Sequence, residues 1–161
     1  MKLILDTNIV LDWLVFNDTG VAGLQPALDR GLIEIVTHEP AIVELRRVLT
    51  YEQFKLALDQ QQELLARYDA QTRVVTMPAE LPATFPECRD ADDQHFLALA
   101  YHERADGLIS KDAAILEMTK RVQKFGVTVL DPKQLAAKLK DLALTLTSSG
   151  ASIEKPLPQS R

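Results

Sequence analysis

Four acidic residues are the best candidates for a functional site in this sequence. Each lies near the start or end of a predicted element or on an apolar helix. Asp6 directly follows a short apolar strand, and Asp112 follows a later one. Asp93 belongs to an acidic group that opens a helix, and Glu44 lies in a mostly apolar helix. Crowded carboxylates raise one another's pKa values, and a hard divalent cation removes their repulsion. This set indicates metal-assisted attack of water on a phosphodiester.

Each acid also has a purely structural interpretation. Asp6 could be only a cap at the end of its strand, and Asp112 could cap the helix that starts beside it. Part of the acidic group could serve only as charges that the helix macrodipole stabilises. Glu44 needs a partner on its apolar helix, either a metal ion or a salt bridge from Arg46 or Arg47. The four acids taken together favour the metal.

The elements that must position these acids alternate between strand and helix. The apolar patterns predict strands over residues 3–5, 32–37, 73–77, 106–110 and 127–130. They predict helices over residues 9–15, 21–30, 39–49, 92–104, 112–122 and 132–144, and one or two helical segments over 51–68. Such an alternation is typical of a parallel sheet covered by helices. We therefore expect an α/β domain of three layers, with its site at the carboxyl ends of strands, near the point where strand order reverses.

Local signals refine the ends of these elements. Thr7 or Asn8 is expected to cap the first helix, and Gly31 to end the second. The prolines of residues 78–90 predict a loop. We expect one domain over residues 1–144, and a disordered or loosely packed tail over residues 145–161, which lacks periodicity.

Composition narrows the function classes. The chain has 161 residues and a formal net charge of -5, which argues against binding nucleic acid by bulk positive charge. Cys88 is the single cysteine, which excludes an intramolecular disulfide and a Cys-based zinc site. The apolar run before Asp6 is too short for a signal peptide or a membrane span. We expect a cytoplasmic protein without a membrane partner.

Four segments of the chain occur in the order typical of one known family. They read LILDTN at residues 3–8, THEPAIVELRRVL at 37–49, RDADDQHFLALA at 89–100 and ADGLISKD at 105–112. On these segments the chain resembles the PIN-domain ribonucleases, and among them the toxin components of toxin–antitoxin systems. The resemblance spans about residues 2–140. It implies a three-layer α/β/α fold with a central, mostly parallel five-stranded sheet.

The resemblance also implies roles for individual residues. It assigns catalysis and the binding of Mg²⁺ or Mn²⁺ to the quartet Asp6, Glu44, Asp93 and Asp112. Asn8 and Ser110 match polar positions that support such a site by hydrogen bonding.

Within the acidic group, Asp93 is preferred to Asp92 because Phe96 and Ala100 follow it with the family's spacing. The chain departs from the family pattern at His95, where Lys is frequent, and at Ser110, where Thr is commoner. It also has Ala114 where many relatives carry a further Asp. This difference argues against a tightly held second metal ion and leaves the quartet intact.

The resemblance implies a metal-dependent endoribonuclease that hydrolyses RNA. Candidates for contacts with the RNA backbone are Lys111 and Arg46, followed by Arg89 and Arg104, although each could be ordinary surface charge. A cognate antitoxin and a homodimer are the expected partners, with residues 51–68 as a possible interface or as cover for the sheet. Two alternatives stay open: a PIN-like RNA- or protein-binding module with weak or no catalysis, and a phosphatase or receiver-like domain.

Overall fold

The sheet confirms the predicted fold class. A computed structural model describes residues 1–77 and 80–149 of the protein. Its strands are β1 (Lys2–Leu5), β2 (Glu34–Thr37), β3 (Thr72–Val74), β4 (Gly107–Ile109) and β5 (Val129–Leu130). They form one five-stranded sheet in the order β3-β2-β1-β4-β5, and every pairing is parallel.

Helices cover both faces of this sheet. They are α1 (Thr7–Leu14), α2 (Leu24–Asp29), α3 (Glu39–Leu49), α4 (Leu58–Gln71), α5 (Gln94–Glu103), α6 (Ala113–Leu116), α7 (Thr119–Gln123) and α8 (Pro132–Ser149). No helix among the described residues is both long and apolar enough to cross a membrane.

The strands divide their side chains between two hydrophobic cores. Leu3 and Leu5 of β1 belong to the core that α1, α2, α4 and α8 cover, whereas Ile4 belongs to the core of α5, α6 and α7. The same division separates Leu108 from Ile109 in β4. Successive strand residues point to opposite faces, so a continuous apolar run fills both cores. This explains the three layers.

The order of the strands reverses beside β1. From β1 the chain moves outward through β2 and β3, and it then returns to place β4 on the other side of β1. Leu5 of β1 is in register with Ile109 of β4. Both strands therefore end at the same edge of the sheet, where ligand sites of parallel α/β folds form.

The start of α1 differs from the prediction. Asp6, and neither Thr7 nor Asn8, is its N-cap, because Asp6 Oδ1 accepts a hydrogen bond of 3.0 Å from the backbone N–H of Ile9. In contrast, Gly31 ends the region of α2 with left-handed backbone (φ 69°), as predicted. Helix α2 begins at Leu24, three residues later than predicted, and a 3₁₀ turn at Thr19–Val21 precedes it.

Strand β3 is shorter than the predicted 73–77. Its last bond to β2 runs from Val75 N to Thr37 O at 2.9 Å, and β2 itself ends at Thr37 because α3 begins two residues later. No β2 backbone remains for a longer β3 to pair with.

Three predicted helices also differ in extent. Helix α4 (Leu58–Gln71) covers only part of the predicted 51–68 and ends three residues later. The predicted helix over 112–122 is two short helices, α6 and α7, because Met118 turns back to bond Ile115 O at 2.9 Å. Helix α8 continues to Ser149, beyond the predicted end at Leu144. The rest of the predicted tail, residues 150–161, and positions 78–79 of the predicted loop lie outside the described residues.

Candidate functional site

The four acids predicted to form a site line one cavity, at the edge of the sheet where β1 and β4 end. The cavity has a volume of about 200 Å³, and Asp90 and Asp92 lie on its wall as well. Asp6 comes from the end of β1, and Glu44 from the middle of α3. Asp93 immediately precedes α5, and Asp112 precedes α6. Four separate elements thus bring their carboxylates to one place.

Asp6 is the most tightly held of these acids. Its backbone N–H bonds Ile109 O at 3.1 Å, which fixes the end of β1 against β4. Its Oδ1 accepts from Ile9 N, and its Oδ2 accepts from the hydroxyl of Ser110. Burial raises the pKa of Asp6 to about 6, although these two hydrogen bonds act in the opposite direction. The carboxyl group is therefore costly to ionise while no cation is near.

Ser110 connects the two strand ends. Its buried hydroxyl donates to Asp6 Oδ2 and accepts from the backbone N–H of Asp112 at 3.0 Å. The expected supporting role of Ser110 therefore has a geometric basis. Asn8 lines the cavity, but among the described residues its side chain makes no hydrogen bond to an acid.

Asp112 caps a helix, as one of its two interpretations predicted, and it also lies at the acidic cavity. Its Oδ1 accepts from Ala114 N at 2.8 Å and so caps α6, while the residue also lines the acidic cavity. One oxygen of the carboxylate is thereby committed to the protein.

Glu44 has partners that were not predicted. Thr7 Oγ1 donates to Glu44 Oε2 at 2.7 Å, and His95 Nε2 lies 3.5 Å from the same oxygen. Burial would raise the pKa of Glu44, but the contacts with His95 and Thr7 outweigh it and lower the pKa. The salt bridge considered for Arg46 or Arg47 does not form with either arginine in the described part of the chain.

A pair of histidines, also not predicted, extends from Glu44 into the protein. His38 Nε2 and His95 Nδ1 are 2.9 Å apart. His38 is buried, and burial, followed by the proximity of His95, lowers its pKa to about 4. A neutral His38 therefore orients His95 toward the carboxylate. The departure from Lys at position 95 was the available sequence signal, but nothing linked it to a residue 57 positions away.

Asp93 also has a carboxyl group whose pKa lies well above its ordinary value. Burial and then the charges of nearby acids, Asp112 and Asp90 first, raise its pKa to about 7. Its Oδ2 is buried and has no hydrogen-bond partner among the described residues. Buried oxygens without a partner are rare in folded proteins, so this atom points to a ligand.

The donor chemistry of the cavity fits a hard divalent cation, which prefers carboxylate oxygens. In the orientations described, however, no three His, Cys, Asp or Glu side chains form a group that could hold a metal ion. The reason is visible in the hydrogen bonds, because Asp6, Glu44 and Asp112 each turn an oxygen toward a protein donor. The acids are gathered, but they do not converge on one point.

The basic residues predicted to bind substrate do not line this cavity. Lys111 Nζ instead lies 2.6 Å from Asp12 Oδ2, a carboxylate that is almost fully buried. Arg46 is exposed on α3, and Arg89 pairs with Glu117 on the surface. Arg104 lines a different cavity, beyond the end of α5.

The fold and the acidic cavity define an α/β domain whose site lies at the strand reversal beside β1. A family model described as PIN domain matches residues 2–114, which include all four acids. The chain belongs to the PIN domain family, whose members are generally nucleases that use divalent metals. No curated protein and no solved structure matched the chain.

Proposed function

We propose that this chain is a metal-dependent endoribonuclease that hydrolyses RNA phosphodiester bonds. Asp6, Glu44 and Asp93 would hold Mg²⁺ or Mn²⁺, and Asp112 would bind directly or through water. The observation that carries the proposal is that four acids from four different elements share one cavity. The raised pKa values of Asp6 and Asp93 add support. Burial, and to a smaller extent the nearby acids, disfavour the charged carboxylates, and a bound cation would favour them.

The residues of the chain divide the chemical work. A metal bound there would polarise the phosphate and lower the pKa of an attacking water. Ser110 and the N–H of Ile9 hold Asp6 in place and favour its ionised form. Thr7 and His95 do the same for Glu44. No side chain is needed as a nucleophile.

Cleavage of single-stranded RNA in the presence of Mg²⁺ or Mn²⁺ tests the proposal. We expect chelation to abolish cleavage and Asp6→Asn to reduce it by two or more orders of magnitude. Asp141→Asn is the matched control, because Asp141 lies exposed on α8, away from the cavity. Equal activity of the Asp6 variant and the control would refute the assignment of the site.

We also propose that the cleavage serves a toxin–antitoxin system in the cytoplasm, with a small antitoxin as the partner. Support comes from the four sequence segments and the family match. Induced expression of the chain alone should arrest growth, and expression of the Asp6→Asn variant should not. Normal growth with active wild-type enzyme in the cell would contradict the toxin role.

A PIN-like binding module without catalysis is the second candidate function. It is favoured by the hydrogen bonds that turn the acids toward protein donors, so that no group of three in the described residues is ready to hold a metal. Calorimetric titration with Mn²⁺ separates the two candidates. Binding that depends on Asp93 favours the enzyme, whereas RNA binding without Mn²⁺ binding or cleavage favours the module.

A further inference from the structure

Three aromatic rings form an exposed cluster where α1 and α3 end. The side chains of Phe16 and Tyr51 are 52% and 42% exposed. Phe54 lies between them, with ring centroids 5.8 Å from Phe16 and 6.4 Å from Tyr51. A contiguous exposed apolar patch is a feature of interaction sites, whereas single exposed apolar residues are not.

The segment around these rings is basic, in contrast to the acidic chain as a whole. Residues 46–55 contain Arg46, Arg47 and Lys55 but only one acid, Glu52, whereas the whole chain has a net charge of -5. None of the three cations forms a salt bridge with a residue of the described ranges. We call Phe16, Arg47, Tyr51, Phe54 and Lys55 the aromatic–basic surface.

Helix α3 leads from the acidic cavity to this surface. Glu44 and Val48 line the cavity, and Arg47 lies close enough to Glu44 to contribute to its lowered pKa. At about 1.5 Å per residue, Tyr51 lies about 10 Å along the helix direction from Glu44. An extended single strand of RNA covers that distance within a few nucleotides.

Helix α1 packs against α3 and also leads from the acidic cavity to the aromatic–basic surface. Asn8 lines the cavity near the start of α1, and Phe16 follows just after its end, about 12 Å further on at the same helical rise. The rings therefore lie at the far end of a helix pair whose near end borders the acids.

We infer that the aromatic–basic surface binds the single-stranded RNA that flanks the cleaved phosphodiester, an inference that rests on the proposed function. Bases stack on the rings of Phe16 and Tyr51, while Arg47 and Lys55 face the phosphates. Aromatic rings set among cations are how proteins bind single strands without reading sequence. The surface also supplies the positive charge that the acidic cavity lacks.

The test compares a long single-stranded oligonucleotide with a dinucleotide as substrates of the full chain. The double variant Phe16→Ala with Tyr51→Ala should raise KM for the long substrate by at least about tenfold, because stacking on both rings is lost. The dinucleotide is too short to reach the rings, so its KM should stay unchanged. The kcat should stay unchanged for both substrates. Phe54 is left in place because it also packs against the core.

Two further variants serve as controls. Tyr51→Phe keeps a ring at the surface and should retain the wild-type KM for the long substrate. Leu144→Ala removes a side chain of similar exposure (58%) on α8 and should have no effect. An unchanged KM in the double variant, or an equal change for both substrates, would overturn the inference.

A binding measurement separates this inference from the proposed catalysis. Fluorescence anisotropy with labelled RNA on the Asp6→Asn background should show affinity that falls when Phe16 and Tyr51 are replaced. If the wild type cleaves no RNA but this dependence holds, the surface stands and the catalytic proposal fails. If sedimentation shows a dimer that the double variant dissociates, the surface is an interface between copies, and the inference is wrong.

Discussion

Replacing Asp93 with Asn should stabilise the metal-free protein at alkaline pH. The pKa of Asp93 is about 7 in the folded protein against 3.8 for an ordinary Asp, so ionisation favours unfolding. This penalty is fully present above about pH 7, shrinks as the pH falls, and vanishes below about pH 4. Asn keeps the shape of the side chain without the charge. It also loses no capping bond, because Asp93 makes none to α5.

The size of the effect follows from the same pKa. The difference between about 7 and 3.8 corresponds to about 4 kcal/mol for a fully buried group. Asp93 is partly exposed, and solvent screening reduces the expected gain to about 1–2 kcal/mol. For a domain of this size the melting temperature should rise by about 5 °C.

Thermal and urea unfolding of both proteins in a chelating buffer, at about pH 8 and about pH 5, measures this gain. The variant should gain most at the higher pH, and added Mn²⁺ should stabilise the wild type more than the variant. Asp141→Asn, remote from the cavity, should show neither effect. A loss of stability in the Asp93 variant at the higher pH, or a gain that is the same at both, would refute the reasoning.

Three other substitutions give separate results. Ser110→Ala removes a buried hydroxyl that bonds Asp6, so the free energy of unfolding, measured in urea, should fall by about 1–3 kcal/mol. The acidic limb of the pH profile of RNA cleavage should also move to higher pH. Lys111→Met leaves the buried carboxylate of Asp12 without its cation, so the free energy of unfolding should fall by about 1–2 kcal/mol. If the variant instead loses RNA affinity at unchanged stability, Lys111 contacts the substrate. His95→Gln removes a partner of Glu44, so calorimetry should show that the affinity for Mn²⁺ falls about tenfold. An affinity equal to that of the wild type would show that His95 does not support metal binding.

The fold was predictable where the chain repeats a simple pattern. Apolar runs such as residues 3–5 identify strands buried on both faces, and their alternation with helices indicates a parallel sheet. The position of Asp6 followed from the same logic, because a carboxylate after a buried strand lies at the strand's carboxyl end. The placement of β4 beside β1, which brings Asp112 to Asp6, depends on packing that no local pattern encodes.

The details that were missed depend on contacts between distant residues. His38 and His95 meet because α3 and α5 pack against each other. Taken alone, His38 is only the residue before α3, and His95 is an ordinary residue of α5. The break between α6 and α7 has a local cause instead. An apolar stretch with helical spacing predicts one helix, and a turn in which Met118 N bonds Ile115 O interrupts it. Lys111 appeared free because the burial of Asp12 is a property of the folded chain.

The hydrogen bond from Ser110 to Asp6 joins residues 104 positions apart. Strand β1 lies between β2 and β4, so one of its two edges stays unpaired until β4 has been synthesised. During synthesis, the first acid therefore emerges long before the strand that completes its surroundings. A product that stops short of β4 contains Asp6, Glu44 and even Asp93, yet it lacks the strand that holds Asp6 in place. We therefore expect chains that stop short of β4 to have no nuclease activity, since the hydrogen bond from Ser110 to Asp6 cannot form in them.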